Sequence, residues 1–294
     1  MVSIIIPNYN HEPYLEQRID SVLNQSYRDF EVIILDDCST DNSREVIEHY
    51  RGHEKISQIV YNEQNSGSTF KQWEKGISLS KGEWIWIAES DDWCELKFLE
   101  ELLMQAADND AVSLVFCNSL RFKENKILYF SHLIYLSKRI SGNEYISDRM
   151  IKGNTIMNAS MAIFKKTKYS MIPKDWMDYK YCGDWLFWIY IMLGSEIIEF
   201  GKVLNYFRTH EGNVSNNAVI SGLEYTERLI LWRSLWAKDI IKDYQLRKLA
   251  FRLYNDASMN RPPNIGDIKN EVLKILGKQV YIKFKIKYFF GLKL

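Results

Sequence analysis

The chain opens on "VSIIIP" (Val2–Pro7), a continuous apolar run of the kind that a strand buried on both faces requires. The period then changes. In "EPYLEQRIDSVLNQ" the apolar positions Leu15, Ile19, Val22 and Leu23 fall on one face of a helix. The same alternation continues, with strands predicted over 30–37, 56–62, 83–88 and 111–120 and helices over 39–50, 68–81 and 95–108. Ser, Thr and Asp stand where the 39–50 helix needs a cap. Strands alternating with helices through short connections imply right-handed crossovers and an α/β fold whose mainly parallel sheet is covered on both faces.

The rhythm fades after about Arg121, and residues 123–147 show no clear period. Further on, "NASMAIFKK" has a strand pattern, "CGDWLFWIYIML" that of a buried helix, and "EIIEF" with "KVLNYFRTH" that of a strand pair. Helical patterns dominate from Leu223 to Leu276. The expected organisation is an α/β domain over residues 1–217 and a helical C-terminal region over 218–294.

Composition narrows the field mainly by exclusion. Among 294 residues, 38 basic and 38 acidic side chains cancel, so no whole-chain field draws nucleic acid and any electrostatic function is local. Cys38, Cys94, Cys117 and Cys182 are too scattered for a disulfide framework or a zinc site, which fits a reducing compartment. The start runs directly into a strand pattern, without a signal peptide. The longest apolar run, Trp185–Leu193, is far short of the about 20 residues that span a bilayer. A cytoplasmic protein, soluble or peripheral on the inner membrane face, is expected. Lys278–Leu294 carries five lysines and five aromatics but no acid. That composition suits an anionic membrane surface, and equally a last element packed on the body.

Candidate chemistry gathers where the strands end, the side of an open parallel sheet on which ligands bind. The first predicted strand ends in Pro7, Asn8, Tyr9 and Asn10, the second in Asp36 and Asp37, the fourth in Glu89, Ser90, Asp91 and Asp92. "NEQNSGSTFK" places Gly67 and Lys71 at a helix start, where free N–H groups and a cation can meet anionic oxygens. Each cluster also has an ordinary reading: Asp36–Asp37 as a turn and cap, Asp91 or Asp92 as the cap of the helix near Glu95. Taken together, so many carboxylates on one rim repel unless a cation sits among them. Oxygen ligation suits Mg²⁺ or Mn²⁺ carrying a diphosphate.

These residues carry a resemblance. "VSIIIPNYNHEPYLEQRIDSVLNQSYRDFEVIILDDCSTDNS" resembles the opening of family 2 glycosyltransferases, inverting enzymes with the Rossmann-like GT-A fold. "NSGSTFKQWEKGISLSKGEWIWIAESDDW" resembles the segment leading into that family's DxD motif, "CGDWLFW" the motif of the catalytic base, and "YFRTHEGNVS" the arginine–histidine motif after it. The resemblance covers about the first 215 residues and leaves the helical tail outside. It implies a nucleoside diphosphate-sugar donor, a uridine diphosphate sugar being the first guess, and a glycan or lipid-linked saccharide acceptor. By position it implies that Pro7, Tyr9, Asp36 and Asp37 surround base and ribose, and that Asp91 and Asp92 face ribose and the metal-bound diphosphate, either being the direct ligand. Arg208 then adds charge compensation, and His210 binds metal or diphosphate. Glu89 stands where many members carry Asp, and reaches the sugar or braces the loop. Asp184 becomes the base, although alone it reads first as a cap of the Trp185–Leu193 helix; Gly183 replaces the Glu that many relatives carry before it. Trp73, Trp93, Trp176 and Trp185 are candidate stacking surfaces for sugars. His11, His49, His53 and His132 have no motif around them. Two alternatives stand beside this reading: a metal-dependent nucleotidyltransferase, whose glycine- and lysine-rich loop "PNYNHEPY" lacks, and a non-catalytic glycan-binding or assembly subunit.

Overall fold

The computed structural model describes residues 1–107, 109–123, 126–130, 136–210, 221–277, 281–282 and 285. His132, all of "EGNVS" and most of the Lys278–Leu294 tail lie outside them. The chain divides into two compact units, Met1–Asp178 with Phe187–His210, and Tyr179–Leu186 with Glu211–Leu294.

In the first unit the predicted alternation is present as β1 (Val2–Asn8), α1 (Glu12–Leu23), β2 (Phe30–Asp36), α2 (Ser43–His49), β3 (Ile56–Tyr61), α3 (Thr69–Leu79) and β4 (Trp84–Ile87). A two-residue β5 (Trp93–Cys94) precedes α4 (Phe98–Ala106), followed by β6 (Val112–Lys123), β7 (Lys126–Phe130), β8 (Ser137–Ser141) and α5 (Gly142–Asp148). Then come β9 (Ala162–Lys165), α6 (Lys166–Tyr169), α7 (Gly183–Met192), which runs from the second unit into the first, and β10 (Glu196–Arg208).

The sheet order is β3-β2-β1-β4-β9-β6-β10-β5. β1 runs parallel to β2 from Val2↔Phe30 to Asn8↔Asp36, and parallel to β4 from Val2↔Trp84 to Ile5↔Ile87. Every residue of β1, β2 and β4 is buried, as their largely apolar runs demand, and the buried Glu31 of β2 accepts from Ser3 Oγ of β1 at 2.6 Å. Because β2 and β3 lie on one side of β1 and β4 on the other, strand order reverses at β1. That reversal opens a crevice at the carboxyl ends of β1 and β4.

Three features depart from the sequence pattern. β9 inserts antiparallel between β4 and β6, so the fifth predicted strand is not the parallel neighbour of the fourth. The expected strand pair over 196–210 is one strand, β10, whose register on β6 jumps between Phe200 and Val203. Gly201 sits in that irregularity and breaks the apolar run that would have marked a single strand. The apolar helix α7 buries Phe187 and Trp188 against Trp73 and Phe164. Trp73 and Trp176 are thus core residues rather than sugar-stacking surfaces. Trp93 alone of the four is partly exposed, stacked on Tyr206 at 5.1 Å.

The second unit contains α8 (Leu223–Ala237), α9 (Asp243–Asn260) and α10 (Ile265–Leu276), which bury Leu229, Leu235, Leu249, Ile268, Val272 and Leu276. It also holds the Tyr179–Leu186 stretch, which the sequence reading placed with the N-terminal domain. Trp185 packs here edge-on to Trp232 at 6.2 Å. No helix among the described residues is long and apolar enough to cross a membrane, and all four cysteines are free thiols.

Candidate active site

The turn after β4 shows how the acidic run tolerates itself: each carboxylate has its own partner. Neither aspartate caps α4, whose N-cap position is Lys97, because β5 intervenes. Asp92 is buried. Its Oδ2 accepts from Asn158 Nδ2 at 2.5 Å and lies 3.9 Å from Arg18 Nη2, and its Oδ1 accepts from the Arg208 backbone N–H at 3.0 Å. Arg18, 0% exposed on α1, also donates through Nε to the Glu89 carbonyl at 2.8 Å and through Nη2 to Ser160 Oγ at 3.1 Å. Glu89 accepts from the Trp73 indole N–H at 2.8 Å, so this longer side chain braces the turn against the aromatic core. Burial and the neighbouring Asp91 charge push the Glu89 carboxyl up to about 8.

Asp91 faces a different set. Its Oδ2 meets His210 Nε2 at 3.0 Å, and candidate ligand atoms of His11, Asp91 and His210 lie within 4.8 Å of one another. Ser90 Oγ pairs with His11 Nδ1 at 2.8 Å, the tautomer deciding which atom donates. The two imidazoles meet edge-on at 5.3 Å, with Tyr14 against His210 at 5.1 Å. Burial lowers the His11 pKa more than the Asp91 charge raises it, which favours the neutral, metal-binding imidazole. Burial works to raise Asp91, but the His210 hydrogen bond and the His11 charge outweigh it and hold Asp91 below the usual carboxylate range. Asp92 moves the opposite way, raised by burial and by the Asp91 charge. Two adjacent aspartates are thereby set apart.

Arg208 closes the group. Its Nε donates to the Asp91 carbonyl at 2.9 Å and its Nη2 to Gln17 Oε1 at 2.6 Å, while its guanidinium lies 4.6 Å from the ring centroids of both Tyr14 and Trp93. Strand β10 delivers Arg208 and His210 together, strand β4 the aspartates and strand β1 His11. His11 was missed in the sequence because it belongs to no motif. The available signal was its place three residues beyond the strand that pairs with β4.

The other candidates serve the loops. Asp36 accepts from Asn8 Nδ2 at 2.9 Å, Ser39 Oγ at 2.6 Å and Ser39 N–H at 3.0 Å, the turn-holding role of its ordinary reading. Asp37 accepts from Asn62 Nδ2 at 2.5 Å, Gln72 Nε2 at 2.9 Å, Ser66 N–H at 2.9 Å and Ser66 Oγ at 2.7 Å, and so organises the loop before α3. In that loop Gly67 takes φ +69°, a left-handed conformation suited to glycine, with open space beside it. Lys71 Nζ reaches the Ser66 carbonyl at 3.3 Å from an exposed position. Pro7 is buried in β1, whereas Tyr9 beyond it is 46% exposed. In the second unit Asp184 occupies the first turn of α7, half-buried, its Oδ1 accepting from the Trp185 N–H at 2.7 Å.

Comparison with known proteins agrees with this layout. A family model described as "Glycosyl transferase family 2" matches residues 3–170, more than half of the chain. The poly(ribitol-phosphate) beta-N-acetylglucosaminyltransferase TarP of Staphylococcus aureus is 29% identical over 260 residues, covering 84% of this chain and 75% of TarP. Among solved structures, S. aureus TarS 1–349 in complex with UDP-GlcNAc superposes with a TM-score of 0.71 at 20% identity, covering 94% of this chain and 79% of that one. The mannosyltransferase PcManGT of Pyrobaculum calidifontis, in complex with GDP-Man and Mn²⁺, gives 0.55 at 15% identity, covering 98% and 84%. The chain spans between 31% and 40% of the length of the first curated relatives it matches. With a family match from the first strand to beyond β9 and a sheet that follows the GT-A pattern, the chain belongs to glycosyl transferase family 2.

Proposed function

We propose that the chain is an inverting, metal-dependent glycosyltransferase moving a sugar from a nucleoside diphosphate donor to a hydroxyl of a bacterial surface glycan or lipid-linked saccharide. The observation that carries this reading is the convergence of His11, Asp91 and His210 at the crevice where strand order reverses. A carboxylate and two imidazoles within 4.8 Å fit a divalent cation. The imidazoles favour Mn²⁺ over Mg²⁺, which prefers oxygen ligands. PcManGT bound to Mn²⁺ supports that choice. When bound, the cation neutralises charge that builds on the leaving diphosphate.

The protein's own groups do the rest. Tyr9 offers an exposed ring for the base, Gly67 and Lys71 an open, cationic edge for donor oxygens, and Asp36 and Asp37 keep those loops in place. Arg208 fixes the Asp91 backbone so that its carboxylate stays aimed at the histidines. Asp184 takes the proton of the acceptor hydroxyl as that oxygen attacks the anomeric carbon from the side opposite the departing nucleotide. From an α-linked donor such as UDP-N-acetylglucosamine, the product is β-linked. TarS bound to UDP-GlcNAc and the N-acetylglucosaminyl activity in TarP's name make UDP-N-acetylglucosamine the first donor to test. TarP's name also makes a poly(ribitol phosphate) hydroxyl the first acceptor. The reaction belongs on the cytoplasmic side of the cell membrane, where such donors are found.

The test is Mn²⁺-dependent release of UDP from a panel of sugar nucleotides, with and without acceptor polymer. Asp184→Asn is expected to abolish transfer while nucleotide still raises the melting temperature. Undiminished transfer by Asp184→Asn would exclude Asp184 as the base. Wild-type turnover unaffected by chelation would remove the metal from the proposal.

A further inference from the structure

The C-terminal helices fall outside the matched family segment, yet one of them grips the residues that lead to Asp184. Glu227 on α8 is 7% exposed, and its carboxylate points at three consecutive backbone N–H groups. Oε1 accepts from Lys180 at 2.7 Å, and Oε2 from Tyr181 at 2.8 Å and Cys182 at 2.9 Å. The next two residues are Gly183 and Asp184. The chain enters α7 at once, with the Leu186 N–H bonded to the Cys182 carbonyl at 3.2 Å. On the far side of Asp184, Trp185 packs edge-on to Trp232 of the same α8. The Arg228 guanidinium lies 5.8 Å from the Trp185 ring and 5.3 Å from that of Trp232. One helix therefore holds the chain immediately before and immediately after Asp184.

We infer that Glu227 is a positioning residue for the reaction: it fixes the Lys180–Cys182 backbone and so places the Asp184 carboxylate, an inference that rests on Asp184 being the base. A buried carboxylate costs free energy unless it is fully hydrogen-bonded, and three charge-assisted bonds to main-chain donors satisfy it here. Gly183 adds no stiffness between the held segment and Asp184, so the aim of that side chain depends on the anchor. Burial raises the Cys182 thiol pKa, with the charges of Asp184 and Glu227 the next contributors. A catalytic group displaced by about 1 Å loses on the order of 100-fold in rate. Helix α8 thus acts as the brace of the base.

The experiment compares the full-length wild type with Glu227→Gln, Asp184→Asn and the double variant. Turnover is read as UDP released from UDP-N-acetylglucosamine with Mn²⁺, and backbone order as amide exchange over 179–186. Glu227→Gln presents an amide NH₂ to N–H donors and removes the charge. Its kcat is expected to fall between about 10- and 100-fold with the donor KM within about twofold. Amide exchange is expected to quicken over 180–186 while the peptides of β1, β4 and β10 stay protected. Because Glu227 acts through Asp184, the double variant should be no slower than Asp184→Asn alone. If Asp184→Asn turns over normally, the base assignment fails and this inference with it. If Asp184→Asn is dead while Glu227→Gln keeps wild-type kcat, or slows the Asp184→Asn background by a further tenfold, positioning alone is refuted. Where Glu227→Gln does not fold, Glu227→Asp, which keeps the charge but withdraws it by one methylene, is read by the same criteria.

Discussion

Replacing Arg18 by methionine isolates the central electrostatic device of the first unit. The side chain is fully buried, bonds to the Glu89 carbonyl and to Ser160, and stands 3.9 Å from Asp92. At an effective dielectric of about 20, charges at that distance attract by about 4 kcal/mol. Removing the cation leaves a buried carboxylate without its counter-charge, which costs roughly 3–5 kcal/mol, and a buried carbonyl without its donor, roughly 1–3 kcal/mol. Asn158 and the Arg208 N–H still serve Asp92, and methionine fills most of the arginine stem's volume, so no large cavity adds to the cost. A net loss of about 3–5 kcal/mol is expected in urea unfolding at pH 7.5, followed by tryptophan fluorescence, with Trp86 beside the site as a reporter. In the double variant Arg18→Met/Asp92→Asn the orphaned charge is gone, so the two costs should fall short of their sum by about 2 kcal/mol. A single-variant cost under about 1 kcal/mol, or two costs that add within about 0.5 kcal/mol, would refute the pairing.

Asp91→Asn should weaken Mn²⁺ binding at least about 10-fold by calorimetry while Asp92→Asn stays within about threefold, since Asp91 alone of the two belongs to the histidine cluster; equal losses would contradict the division of labour. Glu89 is pushed up from 4.5 to about 8, so the folded state holds its proton more tightly than the unfolded chain. The stability that Glu89 contributes is therefore full below about pH 4.5 and is lost as pH rises toward 8, at up to about 1.4 kcal/mol per pH unit. Glu89→Gln should remove that slope, and chelator-containing denaturation curves at pH 5, 6.5 and 8 would show it; parallel profiles for wild type and variant would count against it. In Gly82→Ala the new Cβ would stand 2.4 Å from the Ser3 backbone nitrogen and 2.8 Å from Ser3 Oγ, where β1 meets the entry to β4. A loss of about 2 kcal/mol or more in the same unfolding assay is expected, and a neutral outcome would mean that this close approach relaxes freely.

The legible parts of this molecule are those whose physics is local. A strand buried on both faces is nearly apolar throughout, so β1, β2 and β4 stand out, and ligand chemistry gathers at their carboxyl ends. β9 is not legible in the same way, because four residues between β4 and β6 take their direction from partners far along the chain. The acidic turn falls between these cases. Its charge density demands positive partners, and the reading of it as a bound-cation site answers half of that demand. Asp91 and Asp92 are chemically identical neighbours, but the turn, closed by the Asp92 N–H on the Glu89 carbonyl at 3.2 Å, gives their carboxylates different partners. One meets His11 and His210, the other Arg18. The second partner left a trace in the sequence. Arg18 lies in the apolar stripe of α1 with Leu15, Ile19 and Val22, at spacings of three, four and seven from Leu15, where a charge is tolerated only against a buried acid. A cation on the buried face of one helix and one acid too many in the turn after a neighbouring strand are two halves of a single signal. Reading them together pairs Asp92 with Arg18 and Asp91 with the two histidines.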